Sequence, residues 1–303
     1  MSTVPTVSVL MPIYNAETYL VEALNSILTQ TFDDFELIAI NDGSTDSSEA
    51  ILNSFAEQDN RIKMISRPNK GLIMSLNEGL QSAHGTYIAR MDADDIAFPE
   101  RFAKQVAFLD QHPDCVVVGS RVILIDSDGL LICPFAKETE HDKIDGALMA
   151  GQGGAICHPA AMIRRTALEQ VNGYREQFTH CEDRDLFLRL AEIGQLANLP
   201  DTLLKYRMHS KSVGNSSRET QQRNGNLAVK EAHIRRGLEP SRQDTNHGIQ
   251  PQRSIGAMHQ KWAWWALGAK NIKTARKHAF LALTKEPLAT GSWKVFACAI
   301  RGY

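Results

Sequence analysis

The chain has 303 residues, 43% of them hydrophobic and 22% charged, with 33 basic against 35 acidic side chains and a formal charge of −2. That apolar content fills a sizeable core and excludes a disordered or fibrous chain, and near-neutrality excludes a general polyanion binder. The length suits about two domains, and the charge is uneven: residues 253–303 hold nine basic side chains and a single acid, Glu286.

In chain order, Val7 to Met11 reads as a buried strand closed by Pro12, and 16–30 carries Tyr19, Leu20, Ala23, Leu24, Ile27 and Leu28 at helical spacing. Phe35 to Ile40 is a second short apolar run, followed by Asn-Asp-Gly-Ser-Thr-Asp and a helix predicted over Ser47 to Gln58. Arg61 to Ser66 supplies a third strand, Gly71 to His84 a third helix, and Thr86 to Met91 a fourth strand that runs into Asp92-Ala93-Asp94-Asp95. Pro99 is expected at the first position of a helix through Leu109. Cys115 to Gly119 and Arg121 to Ile125 read as strands before an Asp126-Ser127-Asp128-Gly129 turn. Ala160 to Arg164 and Leu203 to Tyr206 read as short strands, and Asp183 to Ile193 as a helix ended by Gly194. After Ser217 the chain reads as helical, broken around Pro240 to Pro251 and at Pro287. This alternation predicts an α/β fold, a Rossmann-like, mostly parallel sheet flanked by helices over 1–215, with a helical region, basic and aromatic-rich, over 216–303. The boundary is placed between Ser210 and Gln250.

In such a sheet, ligands bind beyond the carboxyl ends of the strands. The residues there are Pro12, Tyr14 and Asn15, then Asn41, Asp42 and Ser44, then Arg67 and Lys70, then Asp92, Asp94 and Asp95. A ring, a carboxylate for a base N–H, basic side chains and clustered carboxylates together suit a nucleoside diphosphate and a divalent metal. An isolated D-x-D is ordinarily a solvated loop. At the end of a buried strand, crowded carboxylates instead call for a cation between them, and a hard ion such as Mg²⁺ or Mn²⁺ takes carboxylates plus phosphate oxygens. No G-x-G-x-x-G follows the first strand and no G-x-x-x-x-G-K-[ST] occurs, so a Rossmann dehydrogenase and a P-loop are excluded.

Four segments in order, Val-Ser-Val-Leu-Met-Pro-Ile-Tyr-Asn, Asn-Asp-Gly-Ser-Thr-Asp, Ala-Arg-Met-Asp-Ala-Asp-Asp and Cys-Glu-Asp-Arg-Asp-Leu-Phe-Leu-Arg-Leu, resemble the family 2 glycosyltransferases with a GT-A fold. The resemblance covers about residues 5 to 215. It implies inverting transfer of a sugar from a nucleoside diphosphate, UDP favoured, to an acceptor hydroxyl, with Mn²⁺ or Mg²⁺ on the diphosphate. By the same resemblance Tyr14, beside Pro12 and Asn15, stacks near the base, Asp42 accepts the base N–H, Asp92 and Asp94 hold ribose and metal, and Arg67 lies on the nucleotide.

Direct displacement needs a base for the acceptor proton, and a carboxylate at a helix N-terminus serves near neutral pH, although acids there are also ordinary dipole partners. The resemblance assigns Asp183 as base, with Glu182 orienting acceptor or sugar. A diphosphate neutralised by metal and cations leaves without a proton, which separates transfer from two-carboxyl glycoside hydrolysis. Tyr206-Arg207-Met208-His209 resembles the loop that closes over the diphosphate, making Arg207 a diphosphate cation and His209 a metal ligand. His158, in Cys157-His158-Pro159, resembles a signature lining the acceptor side.

In the basic tail, Trp262, Trp264, Trp265, Leu267, Phe280, Leu281, Leu283, Trp293, Val295 and Phe296 are interleaved with Lys261, Lys270, Lys273, Arg276, Lys277, Lys285, Lys294 and Arg301. Three readings stand: an anionic membrane surface, helices packed on the catalytic domain with solvated lysines, and nucleic acid, of which the last is not expected. The five cysteines form no C-x-x-C pair, the first residues lack a signal-peptide pattern, and no apolar run reaches about 18 residues. The protein is expected to be cytoplasmic or peripheral on the cytoplasmic face of the inner membrane, acting on a glycan or polyprenyl-linked acceptor in surface polysaccharide synthesis. The rival reading is a non-catalytic nucleotide-sugar binder or assembly partner. A sugar-phosphate nucleotidyltransferase would need G-x-G-T-R where Pro12-Ile13-Tyr14-Asn15 stands, and processive synthases need membrane helices and Q-x-x-R-W.

Overall fold

The computed structural model describes residues 4–135, 138–209, 218–239 and 254–302. The chain forms two compact units, one of 1–121, 137–204 and 220–248 and another of 122–136, 205–219 and 249–303. Within the stretch from Ser210 to Gln250 expected to hold the boundary, 210–217 and 240–250 lie outside the described residues.

The first unit begins with β1 (Val7–Ile13), α1 (Leu20–Leu28), β2 (Phe35–Asp42), α2 (Ser48–Ala56), β3 (Ile62–Arg67), α3 (Leu72–Gln81) and β4 (Tyr87–Arg90). It continues with β5 (Ile96–Ala97), α4 (Arg101–Gln111), β6 (Cys115–Ile125), α5 (His141–Met149), β8 (Met162–Arg164), α6 (Arg165–Gln170), α7 (Glu182–Leu190) and β9 (Gln195–Arg207), of which residues 122–125 of β6 and 205–207 of β9 belong to the second unit. β7 (Leu131–Phe135) belongs to the second unit. The strand order is β3-β2-β1-β4-β8-β6-β9-β5, parallel from β3 through β4 and antiparallel where β8 meets β4 and β6.

Every residue of β1 and β2 is buried, as strands covered on both faces must be, so they read as apolar runs without alternation. Their polar members are paired: Ser8 donates to Glu36 at 2.7 Å, and Glu36 accepts the His84 amide at 2.9 Å. Pro12 is tolerated in a central strand for a specific reason. Leu10 accepts the Met91 amide, so Pro12, two residues on, faces the β4 side, where the ladder has already ended at the Leu10–Arg90 pair. The core gathers Leu10, Ile38, Ile40, Ile88, Val117 and Ile163 with Leu76 of α3 and Phe187 of α7.

The structure changes several sequence boundaries. The two strands expected over 115–125 are one, and the strand expected at Leu203 to Tyr206 is the end of the thirteen-residue β9. Pro99 is not the first helical residue. Its carbonyl accepts the Thr31 amide at 2.9 Å, Arg101 bonds back to Phe98, and α4 starts two residues later. β5, β7 and α6 are too short to announce themselves by period, and α5, though as long as α1, buries only Ile144 and Leu148.

Beyond β9, α8 (Arg218–Arg235) buries Ala228, Val229 and Ala232 in the core of the first unit. In the second unit, the end of β6 and β7 form a hairpin closed at Asp126, which accepts the Asp128 and Leu130 amides at 2.9 Å each. Against it lie α9 (Ile255–Gly268) and α10 (Ile272–Lys285), followed by α11 (Thr290–Arg301). The fully buried Asp126 joins hairpin to helices: Lys277 Nζ lies 2.5 Å from it and His278 Nε2 3.2 Å. The His278 ring stacks on His259, and both meet the buried Trp262 edge-on. Burial alone would raise the Asp126 carboxyl, but the hydrogen bonds from His278 and Lys277 outweigh it and hold it below the carboxylate range. Among the described residues no helix is long and apolar enough to cross a membrane.

A depressed folded pKa means stability that is present above the unfolded value of 3.8 and lost as pH falls through the folded one. Asp126→Asn is therefore expected to cost about 3 kcal/mol at pH 7 by removing the buried carboxylate that His278 and Lys277 both face, leaving Lys277 only the exposed Asp128. In thermal melts the gap to the wild type should narrow as the pH drops below that value; a gap independent of pH would show that the charge contributes nothing.

Candidate functional site

β1, β2 and β3 end level, with Ile13 beside Asn41 and Asp42 beside Arg67. Just past β1, Tyr14 is 55% exposed, and Asn15 takes a left-handed φ of 50°, binding the next loop through its side chain to the Thr45 amide at 2.8 Å. Asn41 accepts the Ser44 amide at 3.1 Å. Gly43 is needed where it stands: its φ is 71°, and a Cβ there would lie 2.6 Å from the Asn69 nitrogen.

Asp42 is buried and clamped. Its two oxygens accept the Lys70 and Gly71 amides at 2.8 Å each, and it pairs with Arg67. Arg67 is buried too, held also by Glu78 and by Ser75 Oγ at 3.0 Å. The two form one rigid wall at the carboxyl end of β2.

At the end of β4, Asp92, Asp94 and Asp95 bring one oxygen each within 4.8 Å of one another. Three carboxylate oxygens at that spacing are the hard donors that Mn²⁺ and Mg²⁺ accept, so the residues present fit such an ion. Behind them, Arg90 is fully buried and paired with Asp92. Burial works against its charge, but Asp92 more than offsets this and raises its pKa. Arg101 of α4 lies below, its guanidinium donating to the carbonyl of Arg90 at 2.7 Å and of Ala161 at 3.3 Å. Burial pushes it down to about 9.

His158 packs behind the same region, with Nε2 2.8 Å from the Tyr174 hydroxyl. Burial first, then Arg90, hold the imidazole well below its ordinary value, and burial raises the Tyr174 hydroxyl. The phenol therefore donates to a neutral ring.

α7 opens on Glu182 and Asp183. Glu182 is buried, with Oε2 lacking a hydrogen-bond partner, and burial followed by the neighbouring Asp183 pushes its carboxyl up to about 7. Arg90 and Asp92 contribute to the same field. Asp183 is half-buried and accepts the Arg184 amide at 2.7 Å. Pro12, Tyr14, Asn15, Asp42, Arg67, Asp92, Asp94, His158, Glu182 and Asp183 all lie in one unit. Arg207 and His209 belong to the other unit, where Arg207 donates to the Asp126 and Ser127 carbonyls at 3.3 and 3.4 Å and His209 is half-buried past β9.

Sequence reasoning missed Arg90, Arg101 and Tyr174. Arg90 carried a usable signal, a cation ending an otherwise apolar strand directly before acids. Tyr174 carried none, since its partner is sixteen residues away and the pairing exists only in the fold.

Residues 8–171 match the model described as glycosyl transferase family 2. The chain is 40% identical over 218 residues to EpsE of Bacillus subtilis, covering 69% of this chain and 76% of that one. It is 34% identical to the O-antigen biosynthesis glycosyltransferase WbnJ of Escherichia coli over 215 residues, 70% of this chain and 83% of that one. Among solved structures it resembles S. aureus TarS 1-349 in complex with UDP-GlcNAc, with TM-score 0.65 and 19% identity over 98% of this chain and 92% of that one. The mannosyltransferase PcManGT of Pyrobaculum calidifontis in complex with GDP-Man and Mn²⁺ matches with TM-score 0.61 and 17% identity over 99% and 86%. These likenesses give the chain a GT-A fold.

A folded pKa of about 7 against 4.5 unfolded penalises the ionised form of Glu182, so stability is lost as pH rises between those values. Glu182→Gln should raise the melting temperature by about 2 °C or more at pH 8 and leave it nearly unchanged at about pH 4, below the unfolded value. An equal shift at both would place the penalty elsewhere.

Proposed function

This chain belongs to the family 2 glycosyltransferases, and on that premise we propose that it moves a sugar, with inversion, from a nucleoside diphosphate to an acceptor hydroxyl. The donor is a UDP-sugar and the acceptor a glycan or polyprenyl-linked saccharide at the cytoplasmic face, in synthesis of a surface polysaccharide. Residues 1–215 carry the chemistry. The observation that carries this reading is the Asp92, Asp94 and Asp95 cluster at the end of β4 with a half-exposed carboxylate, Asp183, at the start of α7 in the same unit.

Asp42 accepts an N–H of the base from a wall that Arg67 fixes in advance, Tyr14 offers an exposed ring for stacking, and Asp92, held by Arg90, meets the ribose. Asp94, within the Asp92, Asp94 and Asp95 cluster, would hold Mn²⁺ or Mg²⁺, which when bound would neutralise the diphosphate so that it leaves unprotonated. Asp183 takes the acceptor proton as its oxygen approaches the anomeric carbon; being half-exposed, it is reachable by an acceptor, whereas the buried Glu182, with its carboxyl raised, is suited to donating a hydrogen bond that orients the sugar. His158 and Tyr174 shape the acceptor side as a neutral pair.

Asp183→Asn should lower the transfer rate by about 10²-fold or more with nucleotide binding unchanged; near wild-type turnover would remove Asp183 as base. In a thermal-shift panel of UDP, GDP, TDP and CDP with and without Mn²⁺, UDP with metal should stabilise most, and Asp94→Ala should abolish the metal dependence. A larger shift with GDP would reassign the donor, and unchanged metal dependence in the variant would remove Asp94 as ligand.

A further inference from the structure

The second unit divides the tail's aromatic residues in two. Trp262, Leu267 and Val295 are buried between its helices, whereas Phe280, Leu288, Trp293 and Ile300 are exposed by 56, 96, 56 and 53%. These four lie on two adjoining helices and the turn between them, while α9 also exposes Ile255 and Trp264, by 52 and 38%. On α11, Trp293, Ala297 and Ile300 recur at i, i+4 and i+7, flanked by Lys294 and Arg301, also seven apart. On α10, Phe280 shares the outer face with Lys273, seven residues before it.

The helices run antiparallel. Arg276 donates to the Ala299 and Ile300 carbonyls, while Ser292 donates to the Ala282 carbonyl. Leu288 and Trp293 therefore mark the turn end, Ile300 and Arg301 the opposite end, and Phe280 falls between. The Trp293 indole N–H donates to the Pro287 carbonyl at 2.8 Å, so the ring is anchored while remaining exposed.

The charges separate in the same way. Lys277 is neutralised by Asp126 and Asp128, and Arg276 caps a helix end. Lys270, Lys273, Lys285, Lys294 and Arg301 have no carboxylate partner among the described residues. A fold that places bulky apolar side chains in water, with unneutralised cations beside them, presents the two groups that an anionic lipid surface accepts together, apolar bodies at the acyl boundary and cations at the headgroups. Nucleic acid would answer the cations but not a 96% exposed leucine, and a second copy of this basic face would meet its own charge.

We infer that the outer face of α10 and α11, with Leu288 at their turn, docks the second unit on the surface of an anionic lipid bilayer. This rests on the second unit alone and is independent of the transfer chemistry.

The test is flotation of the full chain with vesicles of phosphatidylcholine, or of phosphatidylcholine with about one third phosphatidylglycerol, at low and high salt. The expected result is association with the anionic vesicles only, weakened by salt. Phe280→Ser with Trp293→Ser, and separately Lys273→Glu with Lys294→Glu and Arg301→Glu, should each lower the bound fraction about tenfold or more. All five positions are exposed, so melting temperature and the UDP-induced shift should stay at wild-type values, which distinguishes failure of this inference from failure of the donor reading. Equal partition to both vesicles, no partition to either, retention by a DNA duplex instead, or a dimer that the Phe280/Trp293 variant dissociates would each overturn it.

Discussion

Buried charge is the constraint on which the first unit depends. Arg90 ends a strand with no exposed surface of consequence, and a guanidinium there is tolerated only because carboxylates answer it at once, Asp92 directly and Asp95 and Glu182 through the shared field. Arg101, equally buried, does not repeat the solution. It spends its donors on the carbonyls that end β4 and precede β8, fixing the backbone from which the acidic cluster projects. Two cations stacked in this way set the position of the carboxylates and limit how far they can relax from one another.

The same constraint separates two adjacent acids. Glu182 and Asp183 are one residue apart, yet one faces a low-dielectric interior and the other faces outward. Water exposure, more than sequence, differentiates them, and a pair so divided suits an orienting group beside a proton acceptor. His158 fits that division. With a phenol donating to its Nε2 and burial holding it neutral, it contributes shape and a fixed dipole instead of a proton.

The first half of the fold was legible because β1 to β4 alternate with helices long enough for period to speak, and because each strand ends in polar residues that have no structural reason to be there. Legibility fell away after Gly119 for physical reasons. An eleven-residue strand with Ser120 and Arg121 at its middle imitates two short ones, and β9 carries a proline that hides its first half. The site shows the same pattern. Asp42, Asp92, Asp94 and Asp183 stood out by chemistry and position, whereas Tyr174 and Glu78 matter through partners sixteen and eleven residues distant. In the tail the composition was plain but its division was not, since which aromatic faces inward is decided by how three helices meet.

The clamp on Asp42 has a consequence for how a ligand is bound. Its bonds to the Lys70 and Gly71 amides and to Arg67 are present before anything arrives, and Arg67 in turn is held from α3. A carboxylate so fixed has few directions left from which to accept another N–H, so on the proposed reading selectivity at this wall would be angular: a heterocycle would be recognised by where its donor points as well as by having one. Because little ordering remains to be done, conformational entropy is lost mainly by the incoming molecule.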